Sequence, residues 1–407
     1  MLRRSAPCWS RPSNPFILND MADPIYLDHA ATTPVRREVL DAMRPFYEGR
    51  FGNPSSTHRW GREARAALDE ARERLARCLG ANPDEVYFTS GGTEADNMAV
   101  LGAWRARRRE GRNAVVSTPL EHKAVLGAVH QVGREGGEER LAAVTSEGVV
   151  DVEAFASVVR DDVAVCSVMW VNNEIGTIQP IDELVQIAKA RGALFHTDAV
   201  QAFGRMPIDA RAVPFDVLSV SGHKFCAPKG IGAVFIRRGA PVEPLLHGGA
   251  QNRGRRPGTE NVAAAVGLAV AAELAIAERD AEWRRIEALR DQLERAILAR
   301  VPDAVVHGRG APRAPHIVNV SVPGTESESL LMALDLRGVA CSAGSACQSG
   351  SVEPSHVLAA LGVRSDLETA AIRMSLGCLT TAECVERAAD IFGKLAAKAR
   401  RTAGAPS

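Results

Sequence analysis

The chain has 407 residues, enough for two or three domains and for a core that needs neither disulfides nor a structural metal. Its composition, 46% hydrophobic and 24% charged, is that of an ordinary soluble globular protein. With 49 basic and 49 acidic residues the formal net charge is zero, so no global field favours nucleic acid or an anionic membrane, and no apolar run of about 20 residues offers a membrane span. Residues 1–21 stand apart: Arg3, Arg4 and Arg11 lie among several Ser and Pro, with no acid before Asp20. A disordered tail, or a start placed too early with Met21 the true first residue, fits that composition better than a transit peptide. From Val86 onward short apolar runs alternate with helical stretches. Strands are expected at Val86–Ser90, Ala114–Ser117, Leu141–Val144, Val163–Trp170, Ala193–Thr197, Val217–Val220 and Ile231–Ile236. Helices are expected at Thr93–Arg109, Lys123–Arg134, Val152–Arg160 and Ile181–Arg191. Continuous apolar strands between amphipathic helices give an α/β fold with a mostly parallel seven-stranded sheet covered on both faces.

A long helical stretch rich in Ala, Glu and Arg, about 261–300, suits a connector. Beyond it strands are expected at His316–Val322, Val339–Cys341 and Ala371–Leu376, and helices at Glu326–Leu336, Pro354–Leu361 and Thr381–Arg400. The chain thus divides into a large domain, 36–265, and a smaller α+β domain made of 22–35 and 266–407.

Only six lysines occur, and one of them, Lys224, follows a strand directly in Ser221-Gly222-His223-Lys224. A lysine buried there loses its charge and becomes a nucleophile for an aldehyde. Lys229, in the turn Pro228-Lys229-Gly230, suits a surface loop better. Three further segments sit at strand ends. Ser90-Gly91-Gly92-Thr93 joins a strand to a helix and offers close backbone approach and free N–H groups to a phosphate. Asp198 ends an apolar strand, where a carboxylate is costly unless paired; a pyridinium nitrogen is one partner and a cap on the next turn is another. Val171–Gly176 ends a third strand. In parallel α/β sheets ligands bind at those ends.

These segments, in this order, resemble the fold-type I pyridoxal-phosphate enzymes of the class V aminotransferase group, and within it the cysteine desulfurases of the NifS/IscS type. The resemblance runs over about residues 24–400. It includes Ile25–Pro34, Phe51–Ser55, Glu121–Val125, Val171–Gly176, Ser221–Lys224, Arg256–Thr259 and Ser342–Cys347. It implies pyridoxal phosphate held as a Schiff base on Lys224, with Asp198 on the pyridine nitrogen and Asn173 and Gln201 on the phenolate oxygen. His122 would stack on the ring and move protons, and Gly92, Thr93, Ser221 and His223 would hold the phosphate. Thr259 would reach the phosphate of a neighbouring subunit, which implies a homodimer. Pro257 stands where the family often has Ser, but Gly258-Thr259 is kept.

Pyridoxal phosphate alone does not choose a reaction. The choosing residue is Cys347, in the small-residue loop Ser342–Ser351, where a buried structural cysteine does not normally sit. In the desulfurases this is the nucleophile. The loop's length resembles the NifS and IscS group. Arg373 lies inside an apolar strand and needs an anion; an internal ion pair and a substrate α-carboxylate are the candidates, and the resemblance favours the carboxylate, with Asn173 beside it. The expected reaction turns L-cysteine into L-alanine and leaves its sulfur on Cys347 as a persulfide. Acceptors would be an iron–sulfur scaffold or another thio-cofactor pathway. No intrinsic metal is expected, at most a passing contact of Cys347 with an iron–sulfur cluster. The eight cysteines form no C-x-x-C pair or zinc spacing, so a reduced, cytoplasmic setting is expected, with most of them packed as small hydrophobes. Cys341 is read as packed, with a second-thiol role as the alternative. A class V aminotransferase or selenocysteine lyase shares Lys224, Asp198 and Thr93 without requiring Cys347. A non-enzymatic protein of this fold is the third reading, and intact Lys224, Asp198, Cys347 and Arg373 speak against it.

Overall fold

The computed structural model describes residues 23–343 and 355–403. Among them the strands are β1 (Ile25–Tyr26), β2 (Val86–Thr89), β3 (Ala114–Ser117), β4 (Glu138–Leu141), β5 (Val163–Ser167), β6 (Leu194–Asp198), β7 (Val217–Ser221), β8 (Gly232–Ile236), β9 (Val305–Val306), β10 (Ile317–Ser321), β11 (Val339–Ala340) and β12 (Ala371–Ser375). Strands β2 to β8 form one seven-stranded sheet in the order β2-β8-β7-β6-β5-β3-β4. Within it β8 alone runs against the rest. This is the mostly parallel α/β sheet that the sequence predicts.

Its central strands are buried along their whole length, which is why they read as unbroken apolar runs. Alternate residues serve the two faces: Leu218 and Val220 join a core with Leu68, Leu75 and Leu184, while Val217 joins Met98, Trp104 and Val129 on the other side. The edge strand β4 departs from expectation. It lies at Glu138–Leu141, ahead of the apolar run Leu141–Val144. An edge strand with charged, exposed positions resists pairing with other chains, and a search for apolar runs passes over it.

The helix Arg59–Leu79 was not among the predicted elements, although its sequence is regular. His58 caps its start, Gly80 ends it at φ +64°, and Ala64, Leu68, Ala71, Leu75 and Leu79 are buried at helical spacing. The helix Val262–Arg300, of 39 residues and about 58 Å at 1.5 Å per residue, lies in two cores. Leu268 and Ala272 belong to the core of the large sheet. Leu293 and Ile297 pack with Val318, Ile372 and Phe392 around a smaller antiparallel sheet, β12-β10-β9. β1 pairs parallel with β11 beside that core.

Candidate active site

Strands β2, β3, β5, β6 and β7 end at one edge of the large sheet; Thr89 and Ser221 both face Gly232 of β8, and Asp198 faces Ser219. The loops that follow, together with residues 28–33 and β12, enclose a cavity of about 340 Å³. Gly92, Thr93, His122, Asn173, Asp198, Gln201, Ser221, His223, Lys224 and Arg373 all line it. Thr259 is exposed and stands outside this lining, and Cys347 lies outside the described residues.

Lys224 closes the single turn Gly222–Lys224 directly after β7. Its Nζ donates to the carbonyls of Ala30 (2.7 Å) and Ala31 (2.9 Å). Burial, then the charges of Arg373 and Arg205, pulls its pKa down to about 8. At pH 7 about one amine in ten is then neutral, against roughly one in a few thousand for a free lysine. Lys229 is exposed in its turn, away from this cavity.

Near Lys224 the donors gather. Gly92 and Thr93 open the helix Gly92–Arg108, whose leading N–H groups have no partner within the helix. Ser221 and His223 face the same space. A Cβ on Gly92 would come within 3.0 Å of Val200 Cγ2, and one on Gly232 within 2.8 Å of Gly91 Cα, so both glycines let this turn lie close on the strands. Asp198 is a buried carboxylate on the same cavity. It accepts the Val200 N–H at 2.8 Å, and burial raises its pKa, with Lys224 opposing. A phosphate, a carbonyl carbon for an amine and a basic ring nitrogen for a carboxylate fit this donor set, and pyridoxal phosphate carries all three.

His122 is both a cap and a cavity residue. Its Nδ1 accepts the Ala124 N–H at 3.1 Å, starting the helix Lys123–Arg134. Burial, helped by Lys224 and His356, lowers its pKa to about 4, so at pH 7 the ring is neutral with its proton on Nε2. Gln201 spends one amide N–H on Ala30 O (2.9 Å), and its Oε1 meets His316 Nε2 (3.1 Å), which leaves its second N–H for the cavity. Arg373 makes the internal ion pair and also faces the cavity. It pairs with Asp28 (3.0 Å) and donates to Asn173 O (2.9 Å) and Ser342 Oγ (2.7 Å), leaving Nε unpaired.

Several residues of the site carry no strong signal in the sequence. Asp96, His356, Met169 and Glu174 line the cavity, and Asp28 orients Arg373. Glu121 accepts the Met169 N–H and the Thr118 hydroxyl, joining the loops after β3 and β5. The acid next to His122 was the available sign. Ser342 and Ser355 flank the segment that carries Cys347. Ser342 holds Arg373 and Asp28, and the Ser355 hydroxyl donates to Glu174 at 2.5 Å. Cys341 packs on the smaller core, and burial pushes its thiol up to about 12, which suits a packed residue.

The chain belongs to the aminotransferase class-V family, whose sequence model it matches over residues 25–388. Enzymes of this family are pyridoxal-phosphate dependent. The chain is 46% identical over 376 residues to the cysteine desulfurase IscS of Dictyoglomus turgidum, across 92% of this chain and 95% of that one. It is 46% identical over 368 residues to the cysteine desulfurase NifS of Azotobacter vinelandii, across 90% and 91%. Among solved structures it is similar to a NifS-like protein, with a TM-score of 0.86 at 35% identity over 92% of this chain and 100% of that one. SspA in complex with cysteine matches with a TM-score of 0.77 at 32% identity, over 88% and 100%.

Proposed function

We propose that the protein is a pyridoxal-phosphate-dependent cysteine desulfurase that converts L-cysteine to L-alanine and keeps the sulfur as a persulfide on Cys347. The observation that carries this reading is the convergence of a lysine of lowered pKa, a buried carboxylate, a neutral histidine and an arginine on one cavity. The described residues on either side of Cys347 are anchored at that cavity through Arg373 and Glu174. Gly92, Thr93, Ser221 and His223 hold the cofactor's phosphate, Asp198 its ring nitrogen, Asn173 and Gln201 its phenolate oxygen, and His122 its ring face. Bound there, the cofactor supplies the electron sink that acidifies the substrate's Cα proton. Arg373, kept in place by Asp28, takes the substrate carboxylate beside Asn173. Lys224 takes the Cα proton as a neutral amine, and the Nε2 proton of His122 faces the same space. Overall one thiol, Cys347, and one cysteine give Cys347 persulfide and alanine, so atoms balance without an external oxidant.

Thr259 completes the phosphate site of a second copy. Its exposure outside its own cavity supports this, as does the Arg256–Glu94 pair (2.8 Å) that fixes residues 256–259 to the phosphate-binding helix. Exposed Tyr47, Phe51 and Trp60 support a homodimer. The sulfur acceptor is a thiol protein such as an iron–sulfur scaffold, and the working place is the cytoplasm. Cys347→Ser tests the reading. The variant keeps the cofactor's absorbance and loses sulfide and alanine production by about three orders of magnitude; full activity in it would overturn the assignment.

A further inference from the structure

Lys224 also lines a second cavity, of about 460 Å³, in which two thiols face one another. Cys226 Sγ and Cys378 Sγ are 4.0 Å apart, although the residues are 152 positions apart in sequence. Both are half-buried rather than packed away, which departs from the expectation of small buried hydrophobes. Cys226 stands two residues after Lys224 on the connection from β7 to β8. Cys378 stands three residues beyond β12, the strand of Arg373. The pair therefore bridges the two sheets that meet at the site.

The surroundings are built for reactive sulfur. Cys226 is held at φ +68°, a left-handed conformation unusual for a residue with a Cβ. Its N–H donates to Thr33 Oγ1 (2.8 Å), and its carbonyl accepts the Arg36 N–H (3.2 Å). Arg205, on the same cavity, spends its hydrogen bonds on the carbonyls of Gln201 and Lys224, so its charge is free to act on the sulfurs. The hydrogen bond from Cys378 lowers the Cys226 pKa against burial, with Thr33, Arg205 and Arg36 adding to it, while the Cys378 thiol is pushed up. Two sulfurs 4.0 Å apart, with Arg36, Arg205 and the Thr33 hydroxyl around Cys226, suit attack by Cys226 and resolution by Cys378.

We propose that Cys226 and Cys378 form a redox-active dithiol, oxidised by peroxides to a disulfide that ties the Lys224 turn to the end of β12. The Cys226 thiolate attacks one oxygen of hydrogen peroxide, the O–O bond breaks, and a sulfenic acid and hydroxide result; the hydroxide takes back the proton that the Cys226 thiol gave to solvent on ionising and becomes water. The Cys378 sulfur then attacks that sulfenic sulfur; the S–S bond forms, and hydroxide leaves with the Cys378 proton as a second water. Two sulfurs are each oxidised by one electron, and the peroxide is reduced to two waters. The inference does not depend on the desulfurase reading, because it uses only the two thiols and their neighbours.

The test is stepwise addition of hydrogen peroxide to the full-length holoenzyme, followed by alkylation, digestion without reductant and mass spectrometry. The expected result is a linked pair of peptides containing Cys226 and Cys378, two fewer alkylated thiols, and full reversal by dithiothreitol. Hydrogen exchange at residues 222–228 should slow by about tenfold or more in the linked form. Cys226→Ser and Cys378→Ser should each abolish the linked pair while the remaining thiol stays open to alkylation after reduction. Oxidation of either thiol singly with no linked pair would overturn the proposal, as would a linked pair whose exchange at 222–228 is unchanged.

Discussion

Lys224 destabilises the fold that it serves. Burial and two arginines lower its pKa from 10.5 to about 8, so the unfolded chain binds this proton more tightly across that window. Below pH 8 the full penalty, about 3 kcal/mol, is present, and it is relieved as pH rises from about 8 to 10.5. Replacing Lys224 by Met removes that penalty but also takes the donor from the carbonyls of Ala30 and Ala31, at about 2 kcal/mol. Lys224→Met should therefore raise the stability of the cofactor-free chain by about 1 kcal/mol at pH 7 in urea unfolding, while turnover is lost. The same pKa sets how fast the chain captures pyridoxal phosphate. Capture by the cofactor-free protein, followed by absorbance, should rise about tenfold per pH unit up to pH 8 and flatten above it. Lys224 and Asp198 were legible in the sequence because each follows an apolar strand, where a charge needs a reason. Asp28 and His316 were not, because their meaning comes from distant residues that only the fold brings near: Arg373 for Asp28, and Gln201 for His316.

At the scale of the element, the start of the helix Lys123–Arg134 joins stability to chemistry in one side chain. Nδ1 of His122 caps the helix, which leaves Nε2 to the cavity. Asn is a good cap but no proton carrier, so two substitutions separate the roles. His122→Ala should cost about 1 kcal/mol of stability, and His122→Asn less than about 0.5 kcal/mol. Both should lower kcat by about a hundredfold or more if the ring moves protons. The strand β12 poses a similar question, since Arg373 already has an anion in Asp28. That carboxylate orients the guanidinium and also competes for it. Because Asp28 additionally accepts from Ser342 Oγ, orientation should dominate. Asp28→Asn should raise KM for L-cysteine by about tenfold, with kcat changed by less than about threefold. The starts of the predicted helices and central strands agree with the sequence to within a residue or two, since burial on both faces writes itself as an apolar run; β5 ends at Ser167, three residues before its apolar run does. The edge strand β4 does not, since its register comes from pairing with β3 and its exterior is charged.

Across the whole molecule, the site depends on two sheets meeting. Lys224 and Asp198 come from the large sheet and Arg373 from the small one, with the helix Val262–Arg300 spanning both cores. The order of motifs along the chain was legible, whereas the place of Thr259 at a second subunit's phosphate rests on the resemblance; Thr259 itself is exposed and outside the cavity lining. Mixed dimers decide the point. If Thr259 serves the partner's phosphate, a dimer of one Lys224→Ala chain and one Thr259→Ala chain holds one site with both lesions and one site with neither. The intact site takes its lysine from the Thr259→Ala chain and its threonine from the Lys224→Ala chain. Each parent homodimer carries the same lesion in both sites, so neither can form an intact one. Purified mixed dimers, isolated by two different tags, should then recover about half the wild-type rate per dimer, well above the mean of the two parents. If Thr259 acts within its own chain, every site keeps one lesion, and the mixed dimer gives only that mean.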